Sequence, residues 1–97
     1  MIAEPSFTVL RALQSIHETG SVSQTANAIG VTQSAISRSI SKYEKAIGLQ
    51  LLRRDARPLT LTEEGLLVVA HAAEIGRSIR TLGERLKALR QGKDGIV

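Results

Sequence analysis

Six basic side chains and a run of serines give this sequence its chemical character. Residues 33–57 contain six lysines and arginines against two acidic residues, a net charge of +4 that equals the net charge of the whole 97-residue chain. Such side chains bind anions through charge-assisted hydrogen bonds, and a dense cluster of them is typical of a protein that binds a polyanion. A solvated basic face without a ligand is the alternative interpretation. The basic residues are Arg38, Lys42, Lys45, Arg53, Arg54 and Arg57.

The residues that other chemistry would need are missing or poorly placed. The sequence has no cysteine, which excludes disulfides, thiol catalysis and cysteine-ligated metal sites. His17 and His71 are far apart in the sequence, and the adjacent Glu63 and Glu64 suit the positive end of a helix better than paired acid–base catalysis. No nucleophile-elbow motif or glycine-rich phosphate loop occurs. We therefore predict no catalytic residue, no metal and no cofactor.

The chain length and composition predict one small globular domain in the cytoplasm. Hydrophobic residues make up 42% of the chain and charged residues 23%, a balance that argues against disorder. The longest apolar run, residues 66–70, is far shorter than the roughly 20 residues that a membrane helix needs. No secretion signal opens the sequence.

Residues 1–30 are predicted to form two helices separated by a glycine turn. The first helix begins near Pro5, and Gly20 ends it. The second helix is short, with Ser21 or Ser23 as its N-cap and Gly30 at its end. The apolar residues that recur at helical spacing are Val9, Leu13 and Ile16 in the first helix and Ala26 and Ile29 in the second.

A third helix is predicted to begin only two residues later, with Thr32 as its N-cap, so the second and third helices form a helix-turn-helix. The outer face of this helix is rich in serine, a poor helix former that adds nothing to a core. Small polar residues of this kind let a helix backbone approach a phosphate-lined groove. Gln33 and Ser34 lie in the first turn, where such helices contact base edges. An ordinary exposed face is the alternative. The buried stripe comprises Ile36, Ile40, Tyr43 and Ile47, and the opposite face comprises Ser34, Ser37, Arg38, Ser41, Lys42 and Lys45.

A two-stranded hairpin, or wing, is predicted after Gly48. Residues 53–58 form a cationic, turn-forming tip between two segments in which leucines alternate with polar residues. Arg57 is held extended by Pro58, which would let it enter a minor groove or follow a DNA backbone. A mobile charged loop is the alternative. The alternating leucines are Leu49 and Leu51 before the tip and Leu59 and Leu61 after it.

A helix of about 30 residues is predicted to follow, capped by Thr62 and ended near Gly92. Its apolar residues form a heptad seam, at alternating spacings of 4 and 3. A winged domain cannot cover a helix roughly 45 Å long, so the simplest partner for the distal seam is a second copy of the helix in a two-fold dimer. Gly76 and Gly83 lie beside the seam and either permit close helix approach or are merely tolerated. The seam comprises Val68, Ala72, Ile75, Ile79, Leu82, Leu86 and Leu89.

Two runs of the sequence strongly resemble the N-terminal DNA-binding domain of LysR-type transcriptional regulators: GSVSQTANAIGVTQSAISRSISKYEKAIGLQLLRR and RPLTLTEEG. The resemblance covers residues 7 to about 91. It implies a mainly α-helical fold, with a winged helix-turn-helix in residues 1–62, a linker and dimerisation helix in residues 63–92 and the start of a hinge in residues 93–97. In such bacterial regulators a two-lobed effector-binding domain follows, so a small-molecule effector would bind outside this sequence.

The resemblance implies that a homodimer binds an inverted repeat in double-stranded DNA, with tetramers possible in the full-length protein. Carried over position by position, the family's base-contacting residues are Gln33, Ser34, Ser37 and Arg38. Those implied to contact the backbone or the minor groove are Thr32, Ser41, Lys42, Arg53, Arg54, Arg57 and Pro58.

Four positions depart from the family's usual pattern. Members often have proline where Ser34 stands and alanine where Thr25 stands. They often have leucine in place of Tyr43 and phenylalanine in place of Leu52, so we expect this pair to compensate within one core.

Two other functions are alternatives: a winged-helix regulator of another group, which would dimerise differently, and a protein-interaction adaptor, which would need an acidic or apolar third helix.

Overall fold

The computed structural model describes the backbone of residues 2–95 and the side chains of residues 2–92. Within the described residues, four helices and one two-stranded antiparallel sheet follow each other. The predicted fold class, a mainly α-helical winged helix-turn-helix with a long C-terminal helix, is confirmed. The elements are α1 (Phe7–Thr19), α2 (Val22–Ile29), α3 (Gln33–Ile47), β1 (Leu52–Arg53), β2 (Thr60–Leu61) and α4 (Glu63–Gly95).

Hydroxyl side chains define the starts of the first three helices. The Oγ atoms of Ser6 and Ser21 and the Oγ1 atom of Thr32 each accept the N–H of the residue three positions later, at 3.1–3.2 Å. The expected start near Pro5 is therefore corrected, since Ser6 is the N-cap and Pro5 lies outside the helix. Ser21 rather than Ser23 caps the second helix. The predicted cap at Thr32 is confirmed.

The core lies where α1, α2, α3 and the wing meet. The predicted stripes of the first and third helices supply most of it, with Tyr43, Ile47 and Ile29 packed partly buried at its edge. The hydroxyl of the buried Thr25 donates a hydrogen bond to Ser15 Oγ at 2.8 Å, which satisfies a polar group that burial would otherwise penalise. The largest fully buried side chains are Leu13, Ile16, Thr25, Ile36, Ile40 and Leu51.

The wing begins later than the leucine alternation predicts. Leu52 pairs with Leu61 in the sheet, and both are buried. Leu51 is also buried, whereas Leu49 is 42% exposed, so the expected alternation of Leu49 and Leu51 is wrong. The reason is the end of α3: the Leu49 N–H bonds back to the Glu44 carbonyl at 3.3 Å, which keeps this residue in the helix-terminating turn.

Tyr43 and Leu52 pack in the same hydrophobic cluster but at different depths. Leu52 is buried in the core, whereas Tyr43 lies at its edge, where its hydroxyl donates to the carbonyl oxygen of Ala3 at 2.9 Å. The tyrosine therefore ties the N-terminal segment to α3.

α4 begins at the wing and continues past its predicted end. Thr62 Oγ1 accepts the N–H of Gly65 at 3.0 Å and donates to the Gln50 carbonyl at 2.7 Å, so one side chain caps the helix and fastens it to the chain before β1. The helix extends to Gly95, three residues beyond the expected end at Gly92. Residues 96 and 97 lie outside the described residues, and the assignment of residues 93–97 to a hinge stays a prediction.

Candidate nucleic-acid interface

The exposed face of α3 carries the residues predicted to contact bases. Thr32 caps the helix, and Gln33 and Ser34 are exposed in its first turn. Ser37 and Arg38 follow one turn later and are also exposed. Because Ile36 and Ile40 face the core, the helix is held with this polar side directed outwards.

A shallow depression brings together five residues of the third helix. Ser41 is half-buried in it and the other four side chains are exposed. Serines leave space between the long cations, and no acidic side chain of the described residues lines the depression. An anionic rod such as a nucleic acid backbone has the complementary charge. The lining residues are Ser37, Arg38, Ser41, Lys42 and Lys45.

The wing tip is folded against the rest of the domain. Arg57 Nη1 donates to the carbonyl oxygens of Arg54 and Ala56, both at 2.8 Å, so this guanidinium bonds to its own turn. Its predicted contact with DNA stays a prediction. The Arg57–Pro58 peptide is cis. Pro58 packs against the turn between α1 and α2, where a Cβ on Gly20 would lie 2.9 Å from Pro58 Cβ. Arg53 projects from β1 and is exposed.

Glu44 is the functional candidate that the sequence reasoning missed. It is buried, and its Oε1 atom accepts a hydrogen bond from Arg54 Nη2 at 2.6 Å. Its Oε2 atom accepts the N–H groups of Leu51 at 2.7 Å and Leu52 at 3.3 Å, and Arg54 Nη1 at 3.3 Å. Arg54 Nη2 also reaches Ser41 Oγ at 3.4 Å. One carboxylate thus joins α3, the start of the wing and a wing arginine.

The environment of Glu44 favours its charged form. Burial by itself would raise the pKa of this carboxyl, but the hydrogen bonds from Arg54 and from the Leu51 N–H, together with the Arg54 charge, lower the pKa below its ordinary value of 4.5. A signal was present in the sequence: Glu44 follows Ile36 and Ile40 at intervals of four residues, so a carboxylate continues a buried stripe. Such a group needs a partner.

The heptad seam of α4 divides into two parts. Ala72 is buried and Val68 half-buried, because this part of the helix packs against the helix-turn-helix domain. The remaining five positions are 39–64% exposed. Phe7 of α1 is 64% exposed and lines a groove together with Ile75 and Ile79. The exposed seam positions are Ile75, Ile79, Leu82, Leu86 and Leu89.

Within residues 2–95, the structure contains no group of three or more side chains that could together hold a metal ion. None of the helices described is long and apolar enough to cross a membrane.

A short helix, a turn, a helix with a basic outer face and a two-stranded wing define a winged helix-turn-helix protein. Residues 7–66 match the family described as bacterial regulatory helix-turn-helix protein, lysR family. The chain therefore belongs to the LysR family, as the sequence resemblance predicts, and its fold is that of the family's DNA-binding domain.

Curated relatives of the chain are transcriptional regulators. The HTH-type transcriptional regulator MetR of Haemophilus influenzae is 34% identical over 89 residues, which make up 92% of this chain and 29% of that protein. The SDS degradation transcriptional activation protein of a Pseudomonas species is 34% identical over 87 residues, or 87% of this chain and 28% of that protein. The chain thus spans less than a third of the length of these relatives.

Solved structures of the family share the fold. The DNA-binding domain of BenM, in a complex with catB site 1 DNA, superposes with a TM-score of 0.79 at 26% identity and covers 90% of this chain and 98% of that chain. VV2_1132, a LysR family transcriptional regulator, superposes with a TM-score of 0.73 at 36% identity, covering 86% of this chain and 28% of that chain.

Proposed function

We propose that the chain reads double-stranded DNA with α3 in the major groove and the wing on the backbone or in the minor groove. The single observation that carries this proposal is the basic depression on α3, because it combines cations with small side chains on an outward face. The likeness to a BenM domain that is solved in complex with DNA supports it. A basic face does not suit a protein adaptor that would need an acidic or apolar one.

The residues divide into two roles by their position. Those in the first two turns of α3 are proposed to contact bases, because the N-terminal part of a recognition helix lies deepest in the groove. The N-cap residue of α3, the residues further along α3 and those in the wing are proposed to contact phosphates or the minor groove. The base-contacting set is Gln33, Ser34, Ser37 and Arg38. The second set is Thr32, Ser41, Lys42, Arg53, Arg54, Arg57 and Pro58.

The proposed DNA-binding unit is a two-fold dimer on an inverted repeat. The exposed apolar part of the α4 seam, from Ile75 to Leu89, supports this arrangement because no other part of the described chain covers it. In a longer regulator, a further domain would bind a small-molecule effector and tetramers could form. We propose a cytoplasmic regulator without catalytic activity or a cofactor of its own.

The base-reading role is tested with Gln33→Ala and Arg57→Ala on a panel of operator mutants. The operator is first selected with the wild-type chain from a pool of random duplexes. Arg57→Ala should weaken all duplexes alike, whereas Gln33→Ala should lose discrimination at particular base pairs by about 1–3 kcal/mol. Equal losses across the panel for Gln33→Ala would refute its role in reading bases.

The dimer is tested by the solution mass of Leu82→Asp and Leu86→Asp. The wild-type chain should have twice the 10.4 kDa of one chain, and either substitution should give a monomer because it places a charge in the apolar seam. Thr81→Asp is the matched control, since this exposed residue lies on the same part of α4 outside the seam. A monomeric wild-type chain would contradict the proposed dimer.

A further inference from the structure

We propose that Glu44 is a positioning residue for DNA binding, which holds the Arg54 guanidinium where it can bind a DNA phosphate beside α3. This inference rests on the proposed function and assigns to Glu44 an effect that is exerted through Arg54. Glu44 itself would not touch DNA.

The two partners of the ion pair differ in their exposure. The Glu44 side chain is 9% exposed, whereas the Arg54 side chain is 45% exposed. The carboxylate therefore lies on the inner side of the pair and the cation on the outer side. A guanidinium has five N–H donors in a fixed plane. Three hydrogen bonds to Glu44 and Ser41 leave two donors for an outside acceptor.

The two-point contact restricts the orientation of Arg54. Nη1 and Nη2 bond to different oxygens of one carboxylate, and this arrangement fixes the plane of the guanidinium. A free arginine would lose the freedom of several side-chain torsions on binding a phosphate. Here the contact with Glu44 has already removed much of that freedom. The cation is thus ready for a phosphate before DNA arrives.

The same carboxylate also sets the position of the wing relative to α3. It accepts the N–H groups of Leu51 and Leu52, the two residues that lead into β1. Arg54 lies just beyond β1 and contacts Ser41 on the basic depression of α3. Glu44 therefore fixes the spacing between a wing cation and the face proposed to enter the groove.

The inference is tested by a double-mutant cycle on DNA binding. Glu44→Gln, Arg54→Ala and the double variant of the 97-residue chain are titrated with a duplex selected by the wild-type chain. The salt concentration is varied between roughly 50 and 200 mM. Each single variant should bind about tenfold more weakly per protomer. Each should also make the negative slope of log K against log salt less steep by about 0.9 per protomer, the value for one lost phosphate contact. The double variant should bind no more weakly than Arg54→Ala.

Arg53 supplies the matched control for this cycle. It is the neighbouring exposed arginine, and among the described side chains it has no hydrogen bond or ion pair. Glu44→Gln should therefore cause its full tenfold loss when Arg53 is already alanine. Glu84→Gln, which removes the same charge from the exposed distal part of α4, should leave the slope unchanged.

A purely structural role for Glu44 would give a different result. It would lower the thermal stability while leaving the salt slope of the folded chain unchanged, or weaken binding equally with and without Arg54. Either outcome overturns the inference. If Glu44→Gln does not fold, Arg54→Lys replaces it, because lysine keeps the charge but cannot make the two-point contact. Wild-type affinity in Arg54→Lys would also overturn the inference. A wild-type chain that binds no duplex would instead refute the proposed function itself.

Discussion

Gly65→Ala is expected to destabilise the protein, although alanine is normally the better helix former. A Cβ at this position would overlap the carbonyl oxygen of Leu51 and would lie 3.0 Å from Leu61 Cβ. The main obstacle is backbone rather than a flexible side chain. The Leu51 carbonyl accepts the Thr62 N–H at 3.0 Å, so moving it away weakens the hydrogen bond that joins the wing to the start of α4.

The size of the effect follows from opposing contributions. Replacing glycine by alanine inside a helix normally stabilises it by about 1 kcal/mol. Overpacking a tight site costs roughly 1–3 kcal/mol, and a lost buried hydrogen bond costs about 1 kcal/mol more. The expected net change is a loss of about 2 kcal/mol. For a domain of this size, that corresponds to a fall in Tm of roughly 8–16 °C.

Thermal and urea unfolding followed by circular dichroism measure this effect. Gly76→Ala is the matched control, because a Cβ there meets only Arg80 Nη1 at 3.5 Å, an ordinary contact on the same helix. We expect the control to be unchanged or stabilised by up to about 1 kcal/mol. The steric reasoning is refuted if Gly65→Ala is as stable as Gly76→Ala.

Two further predictions concern buried polar groups. Because the pKa of Glu44 is lowered on folding, its contribution to stability is fully present above about pH 4.5 and is lost as the pH falls through the folded-state pKa. Urea unfolding at decreasing pH should show this loss in the wild type and a smaller one in Glu44→Gln; equal curves would contradict it. Thr25→Val removes the hydroxyl that donates to Ser15 and should lower stability by about 1 kcal/mol, measured as Tm against the exposed control Thr81→Val. An unchanged Tm would show that this hydrogen bond contributes nothing.

The helices could be predicted because their signals are local. A hydroxyl cap such as Thr32 bonds three residues ahead, and a glycine such as Gly30 ends a helix through its own backbone conformation. The spacing of Ile36 and Ile40 shows which side of α3 faces the core. These relations span a few residues, so they could be read without knowing what packs against the helix.

The wing could not be predicted to the same accuracy, because the conformations of its turns decide its details and no repeating residue pattern specifies those conformations. Leu49 and Leu51 have the same spacing as a strand pair, yet the bond from the Leu49 N–H to the Glu44 carbonyl delays the strand. The sequence also gives no sign that two carbonyl oxygens of its own turn accept hydrogen bonds from the Arg57 guanidinium. Both outcomes depend on where the chain places acceptors in space.

The ion pair between Glu44 and Arg54 determines which residues give the basic face its net charge, but it does not alter the size of that charge. Glu44 and Arg54 have opposite charges, and they also contact each other in the structure. The net charge of +4 in residues 33–57 is therefore the sum of the other five cations and Asp55. All five of those cations are exposed. The ion pair therefore leaves the net charge of this surface unchanged. Arg54 faces outwards and keeps two N–H donors for an acceptor. Net charge counted from sequence was reliable here because the buried acid and its arginine lie in the same short window.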